Sequence, residues 1–342
     1  MTALTSIPII HPAMETALAR RLERVVGRIG HQMTSSIPEV DELCRHVERY
    51  RGKMLRPVLT LLCADASVGR AGPDFELSGV EEELVTVASV VEMIHLATLV
   101  HDDVLDDAET RRGAPTIARM RSGEVAVILG DFLLSQAYHL CSTLSDQTTA
   151  LRVGEVTSAV CEGEMLQLIR RGKADLDERT YFTIVERKTA ALIAVACELG
   201  AKHAGADPEL ARRFYDFGRD LGIAFQIQDD LLDLVGDERV VGKTLGKDIE
   251  MGKVTLPVLH HLSHCDPSER ANLTTLIRAQ VPLNGERRGI VERLHATGSV
   301  DYARSKASDL VEQAKARLMA LPASVSRDQL LLMADQVVRR EA

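Results

Sequence analysis

The stretch VVEMIHLATLVHDDVLDDAETRRG, Val90 to Gly113, joins an apolar run to five acidic side chains, Asp102, Asp103, Asp106, Asp107 and Glu109, followed at once by Arg111 and Arg112. The apolar positions recur with a period near 3.6, which predicts one long helix over 80–107, strongly apolar in its second half. Such a helix belongs in a core. On it Asp102 and Asp106 stand four residues apart, so their carboxylates point the same way. Like charges at this spacing cost a helix roughly 0.2–0.5 kcal/mol per pair, and carboxylates near a C-terminus also oppose the dipole. Either salt bridges to Arg111 and Arg112 or a bound metal would offset that cost.

The pattern occurs twice. In GIAFQIQDDLLDLVGD, 222–237, Asp229, Asp230 and Asp233 again end a long apolar helix. Two clusters of the form Asp-Asp-x-x-Asp favour the metal over a wet helix end. Hard oxygen ligands with room for water and phosphate oxygens suit Mg²⁺. An all-carboxylate set argues against zinc. The expectation is that the clusters face a cavity and hold a small Mg²⁺ cluster against a diphosphate.

Outside these stretches the helical period persists over most of the 342 residues. Helices are expected at 14–30, 38–50, from Pro57, 123–145, 149–170, 178–201, 207–235, 254–264, 267–279, 283–296 and 298–340, the last broken near Pro322. Hydrophobic residues make up 45% and aromatics only 3%, so the apolar content is aliphatic, as helix packing prefers. The reading is a single all-α domain over 1–342, with a core of about 15–335. The segment 237–253, polar and glycine-punctuated, reads as a functional flap.

A net charge of −9 argues against nucleic-acid binding as the main task. Six scattered cysteines without a Cys-x-x-Cys pair read as reduced thiols. The N-terminus lacks the basic and apolar regions of a signal peptide, and no membrane-spanning run is expected, so a cytoplasmic protein is the default. Cations nevertheless cluster locally: Lys53 and Arg56 in RGKMLRP, Arg111 and Arg112, Lys188 beside Thr189, and Lys243, Lys247 and Lys253. Arginine can fork onto phosphate oxygens and lysine acts as a compact charge. His95 and Gln226 sit one to two turns before the acidic clusters, each either a satisfied core residue or a pocket residue.

With GKMLRP at 52–57, HLATLVHDDVLDDAETRRG at 95–113, KT at 188–189, FQIQDDLLD at 225–233 and GKTLGKDIEMGKVTLP at 242–257, the chain resembles the trans-isoprenyl diphosphate synthases. The resemblance implies the all-α isoprenoid synthase type I bundle around a central cavity, a homodimer, and three Mg²⁺ ions per active site. It implies Asp102, Asp106 and Asp229 as metal ligands, supported by Asp103, Asp230 and Asp233. It places isopentenyl diphosphate against Lys53, Arg56, His95 and Arg112. The allylic diphosphate falls to Arg111, Lys188, Thr189, Gln226, Lys243 and Lys253. Lys188, Thr189 and Gln226 are the catalytic candidates, the last two presenting oxygen dipoles to an allylic cation. Met54 departs from the family pattern, which usually has another basic residue there.

In the resemblance, bulky aromatics one turn before the first motif set the floor that stops growth at short products. Here those positions are Ala97 and Thr98, and Ile94 and Val90 continue the face without aromatics. Each isoprenyl unit adds about one helical turn, roughly 5.4 Å, so an unblocked path of about four or five turns implies a product near C35–C50. The alternatives are a C20 geranylgeranyl diphosphate synthase, with Phe132 or Tyr138 as the floor, and a catalytic subunit that needs a partner. A class I terpene cyclase is more remote, because its second motif and aromatic lining are missing.

Overall fold

The structure, a computed structural model, describes residues 9–69, 79–236, 245–283 and 285–339. Among these the chain is helical throughout, apart from one small hairpin. In order it forms α1 (Pro12–Gln32), α2 (Pro38–Val47), a 3₁₀ turn (Glu48–Tyr50), α3 (Leu55–Ser67) and α4 (Glu81–Leu105). The hairpin pairs β1 (Thr110–Arg111) with β2 (Ala114–Pro115). Next come α5 (Ile117–Met120), α6 (Gly123–Cys141), α7 (Thr148–Arg170), α8 (Glu178–Val185), a π turn (Glu186–Ala190), α9 (Ala191–His203) and α10 (Pro208–Val235). The chain closes with α11 (Lys247–Glu250), α12 (Leu256–His264), α13 (Pro267–Ala279), α14 (Arg287–Ala296), α15 (Ser299–Met319) and α16 (Val325–Val338).

The residues group into two compact units. One comprises Met1–Thr157, Val195–Tyr215 and Leu318–Leu330; the other comprises Ser158–Ala194, Asp216–Arg317 and Leu331–Ala342. In the first, α4 packs against α1, α3 and α6. Its residues Leu84 to Ile94 are buried without a break, which explains why the sequence there is aliphatic on every side. Glycines let backbones close in. A Cβ on Gly130 of α6 would overlap the His101 ring of α4, and one on Gly200 of α9 would overlap the Thr60 carbonyl of α3. By length and composition α4 would span a membrane, but most of its apolar window is buried inside the protein, as in a core helix. The six cysteines are free, and all but Cys161 are buried.

The second unit has its own core. Tyr181, Ile223, Ile227, Leu231, Ile249, Leu256, Ile277 and Ala303 are among its buried members, drawn from α8, α10, α11, α12, α13 and α15. Local signals start these helices: Asp177 caps α8 by accepting from the Thr180 N–H, and Asp266 caps α13 by accepting from Ser268 and Glu269.

Several expected boundaries move. The helix expected over 80–107 stops at Leu105, the one over 123–145 stops at Cys141, and the one over 283–296 begins at Arg287. The helix expected over 178–201 is broken by the π turn at Glu186–Ala190. The hairpin and α5 carry too few residues for a periodic pattern to show.

Candidate active site

In the first unit the end of α4 sets the geometry. Asp106 is the C-cap, not a helical residue, and its N–H donates to the Asp102 carbonyl at 2.8 Å. Asp107 follows in the left-handed region at φ 48°, turning the chain away. Arg112 and Gly113 also have positive φ, 52° and 77°, as a two-residue hairpin turn requires. The hairpin folds Arg111 back so that its Nε and Nη2 donate to Asp103 Oδ1 at 2.8 and 2.7 Å. Asp103 is 1% exposed, and the buried Tyr50 hydroxyl also lies against its carboxylate. Asp102 and Asp106 are half-buried.

A cationic cluster adjoins this turn. A Cβ on Gly52 would overlap the Arg112 guanidinium, so the glycine of RGKMLRP makes room for that arginine. Burial pushes the Arg56 guanidinium below its ordinary pKa, opposed by Glu92; burial pushes the Glu92 carboxyl up, opposed by Arg56, Arg112 and Arg51. His95 lies well below its ordinary value, first through burial and then through Arg56, Arg111 and Arg112. It is therefore a neutral imidazole at pH 7. Arg56 Nε, Arg51 Nη1 and Glu92 Oε2 are buried and without hydrogen-bond partners. Arg111 is paired with Asp103 and Arg51 with Glu48, so Arg56 and Arg112 share Glu92, and the buried donors Arg56 Nε and Arg51 Nη1 remain for an anion. Of the expected group, Arg56, His95 and Arg112 come together. Lys53 is exposed, and Met54, at φ 53°, buries its side chain at the start of α3. Arg51 and Glu92 were not singled out from the sequence, although a lone acid in the run VVEMI is a visible signal.

On α4 the half-buried stripe is His95, Thr98, Leu99 and Asp102, with Ala97, Ile94 and Val90 fully buried. The Thr98 hydroxyl donates to the His95 carbonyl at 2.8 Å. Phe132 and Tyr138 of α6 are half-buried.

In the second unit the π turn carries Lys188 and Thr189. The backbones of α7 and α10 close on it at two glycines: a Cβ on Gly163 would lie 2.5 Å from Lys188 N, and one on Gly222 would lie 2.7 Å from Ala190 Cα. Lys188 pairs with Glu164 of α7. Thr189 Oγ1 donates to Gln226 Oε1 at 2.8 Å, Gln226 Nε2 donates to Asp230 Oδ1 at 2.8 Å, and the Tyr181 hydroxyl donates to Asp230 Oδ2 at 2.7 Å. Burial, and then Asp248, raise the Asp230 carboxyl above the usual carboxylate range, while the Gln226 and Tyr181 hydrogen bonds, one on each oxygen, favour the ionised form.

Asp233 has different partners. Its Oδ2 accepts from the Asp248 N–H at 3.1 Å and its carbonyl from Gly246 at 2.6 Å, which ties the start of α11 to α10. Asp229 is half-buried on α10. A cavity of about 110 Å³ is lined by Arg170, Arg171, Tyr181, Lys188, Gln226 and Lys253, among others. Lys253 reaches its wall because Gly172 N donates to Gly252 O at 2.8 Å, where no side chain would fit. Lys243 and the first part of the expected flap, 237–244, lie outside the described residues.

Metal-binding potential also occurs away from the aspartates. His261, Cys265 and Glu269 each offer a donor atom, all within 4.8 Å of one another. Their mixed nitrogen, sulfur and oxygen set does not suit Mg²⁺. Glu269 Oε1 already accepts from Arg293 at 2.8 Å and meets His261 Nε2 at 3.1 Å, while His261 Nδ1 meets Thr297 at 2.8 Å. The group is satisfied as a hydrogen-bond network.

Comparison with known proteins decides the family. The model for "Polyprenyl synthetase" matches residues 37–293. The chain belongs to the polyprenyl synthetase family. Octaprenyl diphosphate synthase of Escherichia coli (strain K12) is 33% identical over 325 residues, 94% of this chain and 97% of that one. A short chain isoprenyl diphosphate synthase of Methanothermobacter thermautotrophicus is 35% identical over 331 residues, 95% of this chain and 98% of that one. Among solved structures, a decaprenyl diphosphate synthase from Rhodobacter capsulatus superposes with a TM-score of 0.87 at 32% identity, covering 96% of this chain and 98% of that one. A polyprenyl synthase from Caulobacter crescentus, complexed with calcium and isoprenyl diphosphate, gives 0.86 at 32% identity, covering 96% of this chain and 98% of that one. The resemblance read from the motifs, the all-α fold and the trans-polyprenyl diphosphate synthase activity are borne out. Relatives of nearly equal identity make both short and long products, so the comparisons leave product length open.

Proposed function

We propose that this polyprenyl synthetase condenses isopentenyl diphosphate head-to-tail onto farnesyl or geranylgeranyl diphosphate, with Mg²⁺, to a long all-trans product of about C35–C50. The observation that carries the length is the absence of any aromatic on α4 before the first motif, with Thr98 on the same half-buried stripe as His95 and Asp102. By the resemblance, Asp102 and Asp106 of the first unit and Asp229 of the second would be the metal ligands, supported by Asp103, Asp230 and Asp233. The fit rests on donors that are all carboxylate oxygens. When bound, Mg²⁺ supplies Lewis-acid stabilisation of the departing diphosphate.

The protein's own groups do the rest. Arg56 and Arg112, beside a neutral His95, hold isopentenyl diphosphate by forked hydrogen bonds and by charge. Lys188 and Lys253, which line one cavity, take the allylic diphosphate, and the resemblance adds Arg111 and Lys243. They absorb charge as its C–O bond breaks. The double bond of isopentenyl diphosphate attacks the cation, and the released pyrophosphate accepts the proton. Thr189 turns oxygen toward the cation, and Gln226 accepts the Thr189 proton. The protein is expected to work as a cytoplasmic homodimer without stable membrane insertion; Val125, Val127 and Ile128 on α6, with Ile128 66% exposed, supply an apolar face for a second copy.

The test is the purified protein alone with labelled isopentenyl diphosphate, farnesyl diphosphate and Mg²⁺, read as product length. Products of about C35 or longer are expected, and a ceiling at about C15 or C20 overturns the length. No elongation at all overturns the self-sufficient enzyme and points to a catalytic subunit that needs a partner.

A further inference from the structure

The Thr189–Gln226–Asp230 chain does not end at the aspartate. The Tyr181 hydroxyl donates to Asp230 Oδ2 at 2.7 Å and accepts from the N–H of Leu256, the first residue of α12. Tyr181 is 4% exposed and Asp230 is 5% exposed, so neither exchanges these bonds freely with water. The run of donors has one direction. Asp230 accepts twice, once on each oxygen. Its acceptance on Oδ1 forces the Gln226 amide to present nitrogen to α10's own carboxylate and oxygen to the π turn. That oxygen then takes the Thr189 proton, which leaves the Thr189 lone pairs for the cavity that Thr189 lines.

We propose that Tyr181 is a positioning residue for the prenyl transfer: through Asp230 and Gln226 it holds Thr189 with oxygen lone pairs, not its proton, toward the allylic cation. The inference rests on the functional reading above and deepens it. The direction matters because a cation is stabilised by an oxygen lone pair and destabilised by a hydroxyl proton turned toward it. An untethered Asp230 would let the amide flip, and the chain could then run either way. Four elements, α8, the π turn, α10 and α12, are joined by this one network, so the direction is set by tertiary packing.

A double-mutant cycle between Tyr181→Phe and Thr189→Val tests it. The readout is the rate of the first condensation in a single turnover, so that slow release of a long product does not mask chemistry. Tyr181→Phe is expected to slow that step about tenfold, the value of one hydrogen bond, with the KM for the allylic diphosphate unchanged. Because both changes break one network, the double variant is expected to be no slower than the slower single variant. A Tyr181→Phe enzyme as fast as wild type overturns the proposal, and so do effects that multiply to about a hundredfold. Circular dichroism checks folding; if Tyr181→Phe is unfolded, Asp230→Asn replaces it in the same cycle with the same criteria. A wild-type protein that does not elongate at all overturns the functional reading and this inference with it. Elongation by wild type with multiplicative effects overturns the inference alone.

Discussion

Thr98 shows how much one side chain decides. It is half-buried on the stripe that carries His95 and Asp102, with its hydroxyl committed to the His95 carbonyl. A bulky ring there intrudes on the stripe and leaves the carboxylates untouched. Thr98→Phe is therefore expected to shorten the product while turnover persists, which chromatography of the labelled polyprenols would reveal; an unchanged length removes Thr98 from the pocket wall. Ala97→Tyr is a blunter probe. Ala97 is fully buried, so a large ring also overpacks α4, at about 1–3 kcal/mol. The acidic residues divide their tasks more than their spacing suggests. Asp103 is tied to Arg111, Asp230 to Tyr181 and Gln226, and Asp233 to the start of α11. The first and last residues of each motif look alike in sequence, and only their partners tell them apart.

At the scale of elements, the π turn is the part that no periodic reading finds. Lys188 and Thr189 continue a helical pattern on both sides, yet the turn at Glu186–Ala190 carries one extra residue, as π turns at functional sites often do. Its cause is tertiary. Gly163 and Gly222 let the backbones of α7 and α10 approach it, and a methyl group on either would strike main-chain atoms. Gly163→Ala gains helix propensity of about 1 kcal/mol, but the clash with Lys188 N is with backbone and cannot be relieved by a rotamer. The expected outcome is a net loss of about 1–2 kcal/mol in urea denaturation, together with weaker binding of the allylic diphosphate. A Gly163→Ala variant as stable and as tight-binding as wild type would show that the π turn does not depend on this approach.

Over the whole molecule, buried charge makes stability depend on pH. His95 has a folded pKa well below its unfolded value of about 6.5, so between the two the unfolded chain binds more protons. Stability from this residue is therefore complete above about pH 6.5 and is lost as the pH falls below it. His95→Gln should flatten the drop in denaturation free energy between about pH 7.5 and about pH 5.5. An equally steep drop in the variant would assign it elsewhere. Glu92, whose folded pKa is raised, contributes with the opposite sign, so the comparison of variant with wild type is what isolates the histidine. The sequence by itself determined the all-α class, most helices and the identity of the acidic motifs, because helical period and the i, i+4 spacing of Asp102 and Asp106 are local properties of the chain. It could also name Arg56, His95, Lys188 and Gln226 as candidates, since a polar or charged side chain beside an apolar run is visible one residue at a time. Only the tertiary structure decided where α4 stops, that a two-residue hairpin carries Arg111 back to Asp103, that Gly52 seats Arg112, and that Tyr181 holds Asp230. Each of these depends on atoms brought together from distant parts of the chain, or on backbones touching where a side chain is missing, and neither leaves a period in the sequence.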